Sequence, residues 1–174
     1  MLTDSYQQYL ELQRYVGWTD EDQQRIVAVR DVLLANAEPL VEDFYAQILR
    51  HPRAAQVITG GEAQIVQLKS SLRQWLRQLL TGPYDHDYVV LRTKVGHKHV
   101  AIGLDQVFVN AALARLRNGF LRILTEHLQT ESEQFVPTIS ALNKLLDLDL
   151  AIIGDAYQRE FFARQHSLGK ENLQ

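Results

Sequence analysis

Apolar residues recur at spacings of three and four along nearly the whole chain, which is the pattern of amphipathic helices. Alternating runs bounded by turns, the pattern of strands, are missing. Glycine and proline stand mainly between the periodic stretches. The pattern therefore predicts an all-α domain of six to eight helices. The first three helices are expected over about residues 5–16, from Thr19 onward, and from Pro39 up to His51. Longer helices are expected over about 62–80, 85–102, 105–128 and 137–164.

The composition narrows the class of protein. A length of 174 residues corresponds to a single domain, residues 1–174. The formal net charge of −3 argues against a nucleic-acid-binding surface, which is usually strongly basic. There is no cysteine, which excludes disulfides, thiolate nucleophiles, iron–sulfur clusters and covalently attached c-type haem. Any metal would be held by histidine, by carboxylate or by a bound macrocycle.

Other classes of protein are also disfavoured. No stretch approaches the roughly 18 continuous apolar residues of a membrane span, so we expect none. The first residues lack a basic region followed by an apolar one, so no signal peptide is indicated and we expect a cytoplasmic location. Hydrolase, metalloprotease and phosphate-loop motifs are absent, so this chain is not expected to be an enzyme by itself. The alternating segment Asp147-Leu148-Asp149 is interpreted as a solvated helix face.

His99 is the first candidate for chemistry. Gly96 precedes it by three residues and Gly103 follows it by four, so the three positions share one face of a helix. Bare backbone on both sides of an imidazole would let a flat, rigid group approach, as a haem iron with a proximal histidine requires. A hydrogen-bonded core histidine, with the glycines serving helix packing and termination, is the alternative. His97 points about 200° away from His99 and is interpreted as a boundary or surface residue.

Tyr45 is the second candidate. It follows Phe44 within the apolar stripe of the third predicted helix. The side chain can be a core tyrosine whose hydroxyl bonds to backbone. It can also be a phenol donor to dioxygen on the distal side of a haem, where a donor would favour dioxygen over carbon monoxide. The pattern alone leaves both readings open.

A family resemblance adds to these two candidates. The order and spacing of several motifs across roughly residues 15–130 resemble the globin domain of the globin-coupled sensors. The motif around His99, with an upstream glycine, is the most specific of them. The motifs are Asp43-Phe44-Tyr45, the segment from Leu68 to Leu76 with Trp75, Gly82-Pro83-Tyr84-Asp85, and Gly96-x-x-His99-x-x-Ile102-Gly103-Leu104.

The resemblance implies a modified globin fold that holds b-type haem, iron protoporphyrin IX, in a pocket formed mainly by residues 40–110. His99 matches the proximal ligand of the iron, and Tyr45 matches the distal tyrosine. Leu68 matches a second residue beside the gas ligand, which is implied to be dioxygen, with carbon monoxide or nitric oxide as further ligands. The remaining pocket residues are implied to be Phe44, Leu72, Trp75, Val95, Gly96, Ile102 and Gly103.

The resemblance also implies an assembly and an output. Family members usually form homodimers through their last two helices, which correspond here to about 105–128 and 137–164. They pass the ligand signal to a C-terminal output module, so the polar residues 165–174 are interpreted as a tail or as a linker to such a module. Neither the signature loop of a cyclase nor an ATP-binding motif occurs in these 174 residues.

Two positions depart from common family patterns. Asp105 stands where many members carry proline. Chemotaxis-type members carry tyrosine ten residues after the proximal histidine, and this chain has Val109 there. Cyclase-type members tend to have an aliphatic residue at that position. The departure favours a diguanylate cyclase, which makes cyclic di-GMP, as the output.

The predicted function is a haem-based oxygen sensor, and two alternatives stay open. A single-domain globin, as in the related protoglobins, would bind gas or carry out redox chemistry without signalling. A helical phosphorelay module is the other alternative, and it would be colourless. Such modules usually place lysine three residues after the histidine, whereas Lys98 directly follows His97.

Overall fold

The computed structural model describes the backbone of residues 2–171 and the side chains of residues 5–163. This part of the chain forms eight α-helices and no strand, which confirms the predicted fold class. The helices are α1 (Leu2–Val16), α2 (Asp20–Ala35), α3 (Ala37–Arg50), α4 (Pro52–Ala55), α5 (Gly61–Thr81), α6 (His86–Ala101), α7 (Gln106–His127) and α8 (Phe135–Glu171).

Local sequence signals set several helix ends. Thr19 caps α2 by a reciprocal pair of hydrogen bonds, in which its hydroxyl accepts from the Asp22 amide and its own amide donates to the Asp22 carboxylate. Asp85 caps α6 by accepting from the Tyr88 amide at 3.0 Å. Gly103 follows α6 with a φ of 74°, a left-handed conformation that glycine adopts without steric cost. These polar and glycine positions confirm the predicted starts and stop.

Other helix ends differ from the prediction. Pro39 is the third residue of α3, because the first helical N–H groups have no intrahelical acceptor and proline is tolerated among them. The short helix α4 was not predicted, since four residues carry no periodicity. Helix α8 begins two residues before Pro137 and extends to Glu171, so residues 165–171 continue a helix that we expected to end near Arg164. The interpretation of 165–174 as a linker stays a prediction, and 172–174 lie outside the described residues.

The interior contains two separate apolar clusters. The larger one is formed by α2, α3, α5, α7 and α8. The smaller one is formed by α1, α6 and α8. The clusters therefore share α8, while α5 and α6 belong to different ones. Central members of the larger cluster are Ile26, Val41, Leu76, Phe120 and Leu145, and the smaller cluster consists of Tyr9, Tyr88, Val89, Leu148 and Ile152.

Helix packing follows this division. Helix α6 packs most extensively on α8, and α5 packs on α2 and α3. The backbones of α5 and α6 scarcely approach each other. Within residues 2–171, no helix combines the length and the apolar run that crossing a bilayer would need.

Candidate functional site

Tyr45 lies at the contact between α3 and α5. Its hydroxyl donates to the backbone carbonyl of Leu68 at 3.0 Å, and the Phe44 ring meets it edge to face at 5.2 Å between centroids. Burial raises the pKa of Tyr45 to about 12, so the phenol keeps its proton at neutral pH. The site therefore has a protonated donor whose acceptor in this structure is a carbonyl on the neighbouring helix.

The other candidate residues of α5 lie along the same helix face. Leu68 and Leu72 are half-buried and pack against the larger apolar cluster, to which the buried Trp75 belongs. The structure thus brings Phe44, Tyr45, Leu68, Leu72 and Trp75 together on the α3–α5 side.

His99 lies near the end of α6 and is half-buried. Its Nδ1 atom is buried and has no hydrogen-bond partner among the described residues. Burial, with a smaller effect from the positive charge of Lys98, lowers the pKa of His99, so the imidazole is neutral at pH 7. His99 is therefore not the fully hydrogen-bonded core histidine of the alternative reading. His97 is exposed, as predicted.

An apolar stripe of α6 surrounds His99. Val95 stands one turn before it, and Leu91 and Ile102 lie further along the same face. Val95 is half-buried, whereas Leu91 and Ile102 are each 43% exposed. None of the three belongs to either apolar cluster. The stripe of α6 that Leu91, Val95 and Ile102 form beside His99 is apolar and incompletely covered by other helices.

Gly96 does not leave the space beside His99 that the sequence suggested. A Cβ atom at Gly96 would lie 2.7 Å from the Ala156 Cβ and 2.9 Å from the Ile153 carbonyl oxygen. Helix α8 therefore packs against the bare backbone of Gly96, and the role of Gly96 as a cofactor-binding residue stays a prediction. Gly103 is exposed, with no atom within 4 Å of an added Cβ. It ends the helix, and its role as a pocket residue stays a prediction.

Sequence reasoning missed a buried polar network between α5, α6 and α8. Arg92 and Asp149 are 1% and 0% exposed, and the Arg92 Nε atom donates to the Asp149 Oδ2 atom at 2.7 Å. The Arg92 guanidinium also donates to Gln78 Oε1 at 2.8 Å and to the Trp75 carbonyl at 3.2 Å. The Tyr88 hydroxyl donates to Asp149 as well. Burial raises the pKa of the Asp149 carboxyl, and Arg92 and Tyr88 counteract that rise.

The solvated-face interpretation of Asp147-Leu148-Asp149 is correct for one carboxylate and wrong for the other. Asp147 is exposed and pairs with Arg117. Asp149 points about 200° away on the same helix, into the interior. The sequence did hold a signal for the buried network on α6. Arg92 follows the apolar residues Tyr88 and Val89 by four and three residues, the spacing of a buried helix face.

An open groove of about 690 Å³ lies elsewhere, between α1 and α8. It is lined by side chains that include Gln8, Asp155 and Gln158, and by none of the predicted site residues. The candidate site therefore remains the α3, α5 and α6 region.

Comparison with known proteins identifies the family. The sequence profile of the protoglobin family matches residues 5–162. The chain belongs to the protoglobin family. This protoglobin is 25% identical over 160 residues to the heme-based aerotactic transducer HemAT of Halobacterium salinarum. The match covers 87% of the protoglobin and 33% of the transducer, so the chain spans about a third of that relative's length.

Solved structures show the same fold. The globin domain of the Geobacter sulfurreducens globin-coupled sensor matches this protoglobin with a TM-score of 0.79 and 28% identity, covering 85% of this chain and 96% of that one. The ferric and ferrous crystal forms of the E. coli DosC globin domain match with TM-scores of 0.68 and 0.67 at 17% identity. They cover 87% and 86% of this chain, and 99% and 97% of theirs. The modified globin fold and the resemblance to the globin-coupled sensors are confirmed.

The residues of this protoglobin fit a haem whose iron a histidine would hold. A neutral imidazole can supply a nitrogen lone pair to iron, and His99 provides one on an apolar helix face. Helix α5 carries the half-buried apolar side chains of Leu68 and Leu72. Two helices that scarcely touch, both with apolar side chains, suit the faces of a flat macrocycle.

Proposed function

We propose that this protoglobin is a gas-sensing domain that binds b-type haem between α5 and α6 and takes dioxygen as its ligand. A bound haem supplies an iron atom at which a diatomic gas binds reversibly. The chain has no cysteine for thioether attachment, which supports a non-covalent haem. The relative's description as a heme-based aerotactic transducer supports a sensing role.

The unpartnered imidazole of His99 carries the proposal. A buried nitrogen without a hydrogen bond costs free energy, so such groups in native proteins usually have a functional reason. Ligation of iron would use the Nε2 atom of this ring, with the buried Nδ1 atom holding the proton, and it would require the neutral ring that burial favours. The incompletely covered stripe that includes Val95 and Ile102 would pack against the macrocycle.

Tyr45 would act on the opposite face. Its hydroxyl donates to the Leu68 carbonyl, and rotation of the side chain would redirect the proton toward dioxygen. A protonated phenol donates a hydrogen bond to a ligand with partial negative charge, and dioxygen acquires more of that charge than carbon monoxide does. Leu68 would border the same space.

The signal would pass to a partner copy and to an output module. We place the dimer interface on α7 and α8, which the family resemblance assigns to it. The output would be a diguanylate cyclase, and Val109 in place of tyrosine supports that choice. The gas can shift the interface only by its difference in affinity for the two interface states.

Absorption spectroscopy tests the proposal. We expect purified protein reconstituted with haem to show a strong Soret band that shifts reversibly with dioxygen and with carbon monoxide. His99→Ala should lose the haem or change the band. His97→Ala is the matched control, because His97 lies two residues away on the exposed side of α6, and it should behave as wild type.

Two results would contradict the proposal. A protein that stays colourless after addition of haem would not be a haem-based sensor. If His99→Ala and His97→Ala changed the Soret band equally, His99 would not be the ligand of the iron. A monomeric mass in solution would overturn the proposed dimer alone.

A further inference from the structure

One buried side chain joins the two helices that face the proposed haem. The backbones of α5 and α6 scarcely approach each other, and the helices contribute to different apolar clusters. Arg92 of α6 nevertheless reaches α5, where it donates to the Gln78 side chain and to the Trp75 carbonyl. Among the described residues, no other hydrogen bond that we observe joins α5 to α6.

Arg92 is also fixed from its other sides. Its Nε atom is paired with Asp149 of α8 at 2.7 Å. The guanidinium carbon lies 4.4 Å from the centroid of the Tyr88 ring and 5.3 Å from that of Trp75. A planar group with five N–H donors can serve several acceptors at once, which the single ammonium group of a lysine cannot do in the same geometry. Arg92 therefore connects α5, α6 and α8 through one rigid group.

The position of Arg92 along α6 relates it to the candidate iron ligand. Arg92 precedes His99 by seven residues, which is two helical turns, or about 10.5 Å of helix rise on nearly the same face. Gly96 lies between them and packs directly on the α8 backbone, so α6 cannot move toward α8 there. The distance from the His99 end of α6 to α5 thus depends on the group that spans the two helices.

We propose that Arg92 is a positioning residue for His99: as a strut between α5 and α6, anchored on Asp149, it fixes how far the imidazole stands from the haem-facing side of α5. This inference rests on the proposed function. Loss of the strut releases α6, so the imidazole can follow an incoming ligand toward α5 more easily.

Two variants of the haem-loaded protein test the strut. Arg92→Lys keeps a positive charge for Asp149 but loses the forked contacts to α5. Gln78→Ala removes one of the two contacts to α5 and leaves the hydrogen bond to the Trp75 carbonyl and the buried ion pair intact, so it remains informative if the first variant folds poorly. For both we expect carbon monoxide association to become about threefold faster or more, the effect of one hydrogen bond. We also expect the iron–histidine stretching band in the ferrous Raman spectrum to shift or broaden.

Two controls separate positioning from general loss of stability. Gln74→Ala makes the same chemical change one turn earlier on α5, at an exposed residue. Lys144→Gln removes an ion pair between α8 and Asp22 of α2, without involving α6. Both should keep the wild-type association rate and the wild-type band.

The outcomes distinguish this inference from the proposed function. A wild-type protein without a Soret band would overturn the proposed function and the strut with it. A normal Soret band with unchanged association rates and Raman bands in Arg92→Lys and Gln78→Ala would overturn the strut alone. Equal changes in the test variants and the controls would also overturn it.

Discussion

The α3–α5 side and the α6–α8 side of the molecule are held together by different kinds of contact. On the first side, α3 is joined to α5 by the exposed ion pairs Glu38–Arg73 and Glu42–Lys69 and by the hydrogen bond from Tyr45. On the second side, α6 is joined to α8 by the fully buried pair Arg92–Asp149. The α6–α8 side adds the hydrogen bond from the Tyr88 hydroxyl to Asp149 and the close packing at Gly96. Just after α6, the Leu104 carbonyl accepts a hydrogen bond from the Tyr157 hydroxyl of α8 at 2.8 Å.

The contrast indicates which side can adapt to a ligand. Exposed ion pairs contribute little to stability and are screened by salt, whereas breaking a buried pair leaves an uncompensated charge. The α3–α5 side can therefore rearrange at low cost, as the proposed rotation of Tyr45 requires. The α6–α8 side is better suited to hold His99 in place and to pass its movement to α8.

The largest effect is expected from Asp149→Asn. The substitution leaves Arg92 buried without a counter-charge, and we expect it to lower the free energy of unfolding by about 3–5 kcal/mol. Urea denaturation with an unchanged slope would measure the loss.

The matched control for this prediction is Asp147→Asn. Asp147 lies two residues away on the exposed face of α8 and pairs with Arg117. Its loss should cost about 0–1 kcal/mol, as for other exposed pairs. Similar losses in the free energy of unfolding from both substitutions would show that the buried pair stabilises the protein no more than an exposed pair does.

Gly96→Ala should have the next largest effect. The new methyl group would meet the Ile153 carbonyl and the Ala156 Cβ, and backbone cannot give way as a flexible side chain can. We expect a net loss of about 1–3 kcal/mol in the free energy of unfolding.

Gly154→Ala is the control for helix propensity. Its methyl group would meet only the Gln106 Nε2 atom, the end of a flexible side chain, at 3.1 Å. Alanine is the better helix former by about 0.8–1.0 kcal/mol, so this variant should be as stable as wild type or more stable. A neutral Gly96→Ala would show that α6 can shift on α8.

Much of the fold could be predicted because its signals are local. Helical spacing, the Thr19 cap and the turn at Gly103 each depend on residues within a few positions of one another. The sequence pattern made His99 and Tyr45 candidates, and the family resemblance then matched them to the proximal and distal residues. The structure then supplied the hydrogen-bond state of each side chain, which spacing does not contain.

The tertiary partners of individual residues could not be predicted. Gly96 shares a helix face with His99 by spacing, yet the neighbour that uses its bare backbone is α8, which is distant in sequence. The burial of Asp149 depends on Arg92, a partner 57 residues away. Periodicity shows which positions can be buried. The packing of the helices decides which polar residues at those positions are buried.

Tyr45→Phe tests the α3–α5 side, and we expect it to change stability less than the substitutions above. Removing the hydroxyl that donates to Leu68 should lower the free energy of unfolding by about 0.5–1.5 kcal/mol. In the haem-loaded protein, dioxygen should dissociate about two- to tenfold faster, since the donor is lost. Stopped-flow measurement after dioxygen is displaced by carbon monoxide would give the rate.

Tyr84→Phe is the matched control for Tyr45. The Tyr84 hydroxyl also donates to a backbone carbonyl, that of Leu79, at 2.7 Å. The two variants should lose comparable stability, but Tyr84→Phe should keep the wild-type dissociation rate. If dioxygen dissociated from Tyr45→Phe at the wild-type rate, Tyr45 would not be a hydrogen-bond donor to dioxygen.

The smallest effect is expected from Glu38→Gln. The hydrogen bond and charge of Arg73 lower the pKa of Glu38 below its ordinary value. A carboxyl whose pKa is lower in the folded state stabilises the fold above its unfolded pKa, about 4.3, and this contribution is lost as the pH falls. The variant should therefore have a slightly lower urea midpoint at pH 7, and the difference should vanish as the pH falls below about 4 or in salt of about 1 M.

Glu62→Gln controls for the effect of the helix dipole. Glu38 and Glu62 are each the second residue of their helix, and Glu62 has no ion pair that we observe among the described residues. A difference between wild type and Glu38→Gln that persists at low pH or in high salt would mean that α3 and α5 are held by more than exposed charge.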